Sequence, residues 1–444
     1  MPDDDDATAR AARLDAPATP VRESHLSRPR PPSSKALVSA RSGTRAARQA
    51  GLREHNLSLT LRHVLDADGS VSRAGIAAAT GLARATVSGL VDLLIAAELV
   101  RELEPRAAVR AGRPAVPLVP AWGTVAGIGM EVNIEYIGVR AVDIAGRVLV
   151  ERVEIGDFRR SDPDVVLDRL AQLAGLAIAA LSAEGVRIAG SALALPGLVD
   201  RITGPLRLAP NLGWRDIDVV ARMTAHPVLA GFPPHLANEA NLAARAEAHT
   251  RRAAGRPSFV YVSGEVGIGG AIVLDGEIFR GRHGWSGEIG HMLVDPFGAR
   301  GAGRGSLEDL AGQDALMTGA GLDPSLPIAR LVAAAAAGDR DALGSLRRGG
   351  QALGIALANV VNVVDVGEVV LGGTFGPLFP FLRDTVAEQL DRVVIFAPWS
   401  PLLVSESRAG EYPAMTGAAL AVLATVVADP GGWVPAEQGV TRFS

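Results

Sequence analysis

Between residues 72 and 88 the sequence places side chains suited to reading a nucleic acid. Arg84, Thr86 and Ser88 open an apolar-periodic stretch, Ala83 to Ala97, in which Val87, Leu90, Val91 and Leu94 recur at helical spacing. An arginine donates to a guanine edge or to a phosphate, and the Thr86 and Ser88 hydroxyls can bond either. Ser72 stands where it can cap a preceding helix whose inward positions are Ile76 and Ala77. Thr80-Gly81 supplies a tight turn between the two helices. Helix, glycine turn and second helix within roughly twenty residues is the size of a helix-turn-helix. The N-terminal ends of both helices offer backbone N–H groups to phosphate.

Flanking elements must hold that pair. Leu57, Leu61, Val64 and Leu65 mark one face of an earlier helix, which Asp68-Gly69 ends. Leu99 to Leu103 reads as a strand, and Gly112 to Leu118 as a strand returning after a loop. Together they make a wing, along which Arg101, Arg106, Arg110 and Arg113 can reach backbone or minor groove. The helical pattern alone also describes a three-helix bundle inside an enzyme; the hairpin after it favours the winged unit.

With 444 residues the chain has room for two to four domains. Hydrophobic residues at 48% and charged residues at 21% can fill real cores and exclude a wholly disordered protein. Aromatics are only 4%, so aliphatic side chains must do most of the packing. Cysteine is absent, which removes disulfides and thiolate metal sites and fits a cytoplasmic location. The acidic N-terminus lacks the apolar core of a secretory signal. No 18-residue uncharged apolar run is present, and Leu170 to Leu181 reads as a buried helix, so no membrane partner is expected. The net charge of −4 hides an asymmetry: residues 21–53 carry eight Arg or Lys and one Glu. Residues 1–53 read as a disordered basic arm, either a phosphate-binding extension or a solubilising tail.

From Thr124 the pattern becomes α/β. Val125–Met130, Ile137–Ile144 and Arg147–Val153 read as a three-stranded meander turning at Ala145-Gly146. Helical stretches follow at Asp164–Leu181, Asn238–His249, Ser306–Gly312, Ala342–Val363 and Met415–Val427. Strands intervene at Ile188–Leu195, Phe259–Val262, Ala271–Leu274 and Val369–Leu371. This alternation predicts a two-lobed α/β body.

Several motifs in this body resemble the ROK family, which groups repressors, open reading frames and sugar kinases. They are Ala209-Pro210-Asn211-Leu212-Gly213-Trp214, Asn238-Glu239-Ala240-Asn241, Gly267-Ile268-Gly269-Gly270 and, most specifically, Gly287-Glu288-Ile289-Gly290-His291. The helix-turn-helix ending in Thr86-Val87-Ser88 and the Gly112-Arg113-Pro114 after the wing are similar to those of its repressor members. The resemblance covers the chain from Asn56 onward. It implies a winged helix-turn-helix followed by a two-lobed actin-like, sugar-kinase (ribonuclease H-like) fold. It also implies a sugar pocket contacted by Asn238, Glu239, Glu288, His291 and Glu308, bordered by Gly197 and Asn211, with Trp214 packing on the loop or on a sugar face. Carboxylates and an imidazole suit sugar hydroxyls, with which they form directional, charge-assisted hydrogen bonds.

The chain departs from the family's kinase pattern where phosphate would bind. Kinase members open the first lobe with Asp-x-Gly-Gly-Thr; here the run is Glu131-Val132-Asn133-Ile134-Glu135. Ile134 brings a branched side chain where backbone must approach phosphate, and Glu135 brings negative charge. Val266 replaces the Thr before the second glycine loop. The catalytic-base position, Asp in kinases, holds Glu239, whose extra methylene displaces the carboxylate by roughly an ångström. The family's zinc cysteines are replaced by Ala299, Gly301 and Ser306. That leaves no metal site, His291 available to a ligand, and the 299–306 loop to be held by packing or by Arg300 and Arg304.

The expectation is a sugar-responsive transcriptional regulator, without catalysis or cofactor. Its organisation would be a basic arm (1–53), a winged head (54–120) and a sensor body (121–444). One lobe would comprise 121–238 with the C-terminal helix, the other 239–410. DNA contacts are expected from Ser72, Arg84, Thr86, Ser88 and Arg113. The expected partners are double-stranded operator DNA, a sugar or sugar derivative, and a second copy in a homodimer or dimer of dimers. The rival reading is an ATP-dependent sugar kinase.

Overall fold

Three helices and a short ribbon open the described chain. Residues 53–65 are helical (α1), followed by α2 (Arg73–Thr80), α3 (Arg84–Ala96), β1 (Val100–Glu102) and β2 (Leu118–Pro120). Leu57, Leu61, Ile76, Val87, Val91 and Leu94 meet in one core, as the helical periodicity requires. Gly81 adopts a left-handed conformation (φ 72°) and its N–H closes α2 on Ala77. The ribbon is antiparallel, with Val100 opposite Pro120 and Glu102 opposite Leu118. Among the described residues the return strand spans Leu118–Pro120; positions 112–115 of the expected strand lie outside them. The computed structural model describes residues 51–104, 116–202, 204–252, 255, 257–264, 267–295 and 305–435. Residues 1–50 of the expected arm, Arg106, Arg110, Arg113, Val266 and the run 299–304 lie outside the described residues; residues 51–53, expected in the disordered arm, are already helical.

The meander from Thr124 forms as the alternation predicted: β3 (Val125–Val132), β4 (Tyr136–Asp143) and β5 (Val148–Ile155). Asp143 shapes the β4–β5 turn by accepting from Ala145 N (3.0 Å) and Arg147 N (2.8 Å). After α4 (Pro163–Ala183), β6 (Arg187–Leu195) returns parallel to β3. A three-stranded flap follows, β7 (Leu198–Val199), β8 (Leu206–Ala209) and β9 (Trp214–Ile217), then α5 (Val219–Thr224). β10 (Pro234–Asn238) completes a first sheet of order β10-β6-β3-β4-β5. By length and composition α4 is apolar enough to cross a membrane. Here its Val166, Leu170, Ala174 and Leu181 are buried in the core of the first lobe.

α6 (Glu239–Arg251) leads from the first sheet toward a second lobe. Its sheet contains β11 (Phe259–Gly264), β12 (Ile268–Leu274), β13 (Glu277–Ile278), β14 (Glu368–Gly373) and β15 (Leu403–Glu406), in order β13-β12-β11-β14-β15. Four helices, α7 (Leu307–Ala311), α8 (Gln313–Gly319), α9 (Ala329–Ala336) and α10 (Arg340–Val364), separate β13 from β14, and α11 (Phe375–Val393) precedes β15. The buried Glu247 carboxylate pairs with Arg251 and accepts from Ser407 Oγ (2.8 Å) and Arg408 N (2.7 Å), fixing α6 to the end of β15.

The last helix, α12 (Pro413–Ala428), joins the parts. A Cβ on Gly129 would lie 1.9 Å from the Met415 carbonyl oxygen, and one on Gly417 would lie 1.7 Å from the Leu242 carbonyl oxygen. Only glycine lets α12 approach β3 and α6 so closely. Farther along, Leu420, Leu423 and Val426 enter the same core as Leu57, Leu61 and Leu94. Ser58 Oγ donates to the Val427 carbonyl (2.6 Å), Thr124 Oγ1 to that of Glu98 (2.8 Å), and Trp122 lies under the guanidinium groups of Arg101 (3.7 Å) and Arg147 (4.6 Å). The helical head is thus packed into the body rather than tethered to it.

Candidate functional sites

On the head, Arg84 and Thr86 are exposed at the first turn of α3, and Ser88 is half-buried one turn on. Ala83 gives α3 no side-chain cap, so the first-turn N–H groups keep their hydrogen-bonding capacity for an anion. Ser72 accepts from Gly75 N (3.1 Å) and so acts first as the cap of α2. Arg73 escaped the sequence reading. Its guanidinium donates to the Ser88 carbonyl (3.0 Å), to Asp92 (2.7 Å) and to Glu102 (2.8 Å), locking α2, α3 and β1 together. Nothing in the local pattern marks it, because its three partners come from two other elements.

In the body, Asn238 is the N-cap of α6. Its Oδ1 accepts from Ala240 N (2.9 Å) and Asn241 N (3.2 Å), and its Nδ2 donates to the Gly197 carbonyl (3.1 Å). Gly197 has φ 93°, and a Cβ there would lie 2.1 Å from the Leu208 carbonyl oxygen, so a side chain is excluded where this loop crosses β8. Asn211 lies in the turn between β8 and β9, and its carbonyl accepts from Arg160 N (3.1 Å). Trp214 is fully buried and donates to the Ser161 carbonyl (2.9 Å); it holds the flap, and the alternative of a sugar-stacking ring is overturned by that burial.

Glu288, His291 and Glu308 cluster around the start of β12. Glu308 Oε2 accepts from Ile268 N (3.2 Å), and a Cβ on Gly267 would lie 2.9 Å from the same oxygen. The glycines let α6, the Glu288–His291 turn and β12 crowd together: a Cβ on Gly269 would meet Ala240 at 2.9 Å, and one on Gly290 the Ile268 carbonyl at 2.4 Å. Burial holds the Glu288 carboxyl above the usual carboxylate range; His291 opposes the shift and Glu308 adds to it. His291 is exposed at the end of the short 3-10 turn Ile289–His291. The ends of the cysteine-free loop are tied by backbone: Val294 N and Asp295 N donate to the Gly305 carbonyl, and Leu307 N to that of Met292 (2.8 Å). Ser306, at a cysteine position, caps α7 in a capping box with Asp309.

Glu239 faces elsewhere. It lines a cavity of about 540 Å³ whose walls include Glu131, Tyr261, the Gly372-Gly373 turn, Glu406, Glu411 and Tyr412; Glu288, His291 and Glu308 do not line it. Arg140, ion-paired with Glu151, donates to the Glu411 carbonyl and Thr416 Oγ1 (both 2.7 Å), fixing the start of α12 at this cavity. At the cavity's edge the β3–β4 turn is closed on itself. Asn133 N donates to the Tyr136 carbonyl (2.8 Å), and Glu135 N to Asn133 Oδ1 (3.1 Å). Ile134 is buried in the core of the first lobe. The expectation that its side chain intrudes on a phosphate position is corrected: it points inward, while the Asn133 and Glu135 N–H groups of the turn are engaged within it.

The ROK family model matches residues 136–425. The chain belongs to the ROK family. It is 28% identical to the xylose repressor of Bacillus subtilis (strain 168) over 345 residues, 77% of this chain and 85% of that one. Among solved structures it is similar to a ROK family transcriptional regulator described as a homologue of the Escherichia coli MLC protein. The TM-score there is 0.71 at 26% identity, over 86% of this chain and 99% of that one. It is also similar to the ROK hexokinase of Thermus thermophilus, with TM-score 0.56 at 29% identity over 68% of this chain and 99% of that one. The two-lobed body has the actin-like sugar-kinase fold of this family.

Proposed function

We propose that this ROK protein is a sugar-responsive transcriptional repressor. Residues 54–120 would form its winged helix-turn-helix head, and the two-lobed body from residue 121 would be its effector sensor. The observation that carries the reading is the course of α12. Its first turn borders the inter-lobe cavity, and its last turns share a core with α1 and α3. A ligand that changes how the lobes meet around α12 thereby changes the seating of the head. In a dimer on a palindromic operator, that reseating alters the spacing of two recognition helices.

In this reading α3 enters the major groove, with Arg84, Thr86 and Ser88 toward bases and phosphates. Ser72 and Arg73 hold it in place, and Arg113 belongs to the wing. The sugar lies against Glu288, His291 and Glu308, with Gly197, Asn211 and Asn238 on the bordering loops; Glu239, expected among them, opens on the inter-lobe cavity instead. The similarity to the xylose repressor supports a carbohydrate effector and genes of sugar uptake or breakdown as the target. Exchanging both Arg84 and Thr86 for Ala is expected to weaken specific operator binding by at least about tenfold, at roughly 1–3 kcal/mol per good base contact. Unchanged affinity in fluorescence anisotropy at fixed salt would overturn the assignment of α3.

The kinase alternative has specific support in the similarity to the Thermus thermophilus hexokinase. The acidic cavity speaks against it. A nucleoside triphosphate there would meet Glu131, Glu239, Glu406 and Glu411, beside a β3–β4 turn whose Asn133 and Glu135 N–H groups are already engaged. Titration with Mg-ATP, with and without sugar, is expected to give no binding and no ADP. Saturable ATP binding with sugar phosphorylation would establish the alternative instead.

A further inference from the structure

Between the head and the body lies a cavity of about 570 Å³ whose walls include neither the Glu288 cluster nor its bordering loops. Three helices each turn one stripe toward it. α12 contributes Leu420, Leu423, Ala424 and Val427, a wholly apolar stripe at spacing i, i+3, i+4, i+7. α6 contributes Arg245, Ala248, His249 and Arg252 at the same spacing. Leu59, Arg62, His63 and Asp66 repeat it along α1 and the residue just after it. Arg252 is the group left without a counter-charge. Its Nη1 donates to His249 Nδ1 (2.9 Å), and burial holds His249 down at about 4. The neutral imidazole therefore orients the guanidinium without cancelling its charge. Burial also holds Arg252 below the usual arginine range, and Asp66 opposes this from beyond ion-pair distance. Among the described residues no carboxylate is ion-paired with Arg252 or with Arg245.

A guanidinium drawn out of water without a counter-ion is unfavourable, and a bound anion removes the penalty. A planar carboxylate matches its forked N–H groups. The α12 stripe calls for apolar bulk on the same molecule, and a cavity of this size with one apolar wall and a few placed polar groups suits a small ligand. Asp66, Asp275 and Glu277, which also line it, disfavour a dianion such as a phosphomonoester. We propose that this cavity binds a monocarboxylate with an aromatic or branched aliphatic body, its carboxylate on Arg252 and its body along the α12 stripe. Because α1 of the head forms one wall, occupancy fixes how the head sits on α6 and α12. On the repressor reading the carboxylate is then a second effector, chemically unlike the sugar and bound apart from it.

Isothermal titration of the full chain without DNA, using hydrocinnamate, hydrocinnamyl alcohol and acetate, tests the site apart from the repressor reading. Hydrocinnamate is expected to bind. The alcohol lacks the charge and acetate lacks the apolar body, so each is expected to bind about tenfold more weakly or worse, the scale of one lost charge-assisted contact or one exposed ring. R252M is expected to weaken hydrocinnamate by about tenfold or more while leaving the alcohol unchanged. A424F fills the cavity from an exposed position on α12 and is expected to abolish hydrocinnamate binding with Arg252 intact. The proposal is overturned if hydrocinnamate fails to bind at millimolar concentration, if the alcohol or acetate binds as tightly, if R252M keeps wild-type affinity, or if A424F binds hydrocinnamate as wild type does.

Discussion

Replacing Asn238 by Asp should separate the capping of α6 from the positioning of the Gly197 loop. The asparagine does both: Oδ1 accepts from Ala240 N and Asn241 N, and Nδ2 donates to the Gly197 carbonyl. Loss of an N-cap costs about 1 kcal/mol. Loss of the bond to Gly197 costs about 1 kcal/mol more. N238A should therefore be less stable by about 2 kcal/mol, or roughly 4–8 °C in Tm on the scale of a 150–250-residue unit. N238D keeps both capping bonds, and its charge at a helix N-terminus contributes about 0.3–1 kcal/mol. It loses the donor, however, and sets a carboxylate oxygen against the Gly197 carbonyl beside Glu239. N238D should then melt within about 1 kcal/mol of wild type while the loop is released. Thermal melts measure the first effect, and sugar-induced release of labelled operator measures the second. N238D is expected to need about tenfold more sugar for half-release, the equivalent of one lost positioning bond. The reasoning is refuted if N238D responds as wild type does, or if N238A melts with it.

Two further perturbations probe the frame. G417A puts a methyl group into the Leu242 carbonyl, and α12 cannot yield without moving off β3 as well. A loss of about 3 kcal/mol or more in urea unfolding is expected, and a neutral result would discard the close-approach argument. His249 is held at about 4, below the usual histidine value of 6.5, by burial and then by Arg252, whose Nη1 donates to Nδ1 at 2.9 Å. The folded protein thus resists protonating His249, and its stability contribution, present above pH 6.5, is lost as pH falls toward 4. The loss is up to about 3 kcal/mol, and H249Q should flatten the stability–pH curve in that window.

Much of the head was legible because its signals are local. The 3.6-residue apolar period, the glycine turn and the capping serine act within a few residues, and α2 and α3 form within one residue of their expected limits. In the body the long helices and central strands were legible for the same reason. Short or interrupted elements were not. β10 is five residues beginning at a proline pair, and α11 carries Pro380 inside it, a residue that reads as a helix breaker.

The sequence by itself determined the element types, the family motifs, and the loss of the kinase glycines and zinc cysteines, since these depend on residue identity at short range. Tertiary structure decided which way the chemistry points. It turned Ile134 and Trp214 into the first lobe's core and committed Glu308 to the β12 backbone. It also set Glu239 and Arg245 on opposite faces of one helix, opening on different cavities. The same packing set α12 against β3 and α6 through glycines whose lack of a side chain means nothing until a distant carbonyl arrives, and against the head through Leu420, Leu423 and Val426. Those choices are made by partners from 40 to 369 residues away in sequence, and no periodicity within a single element encodes them.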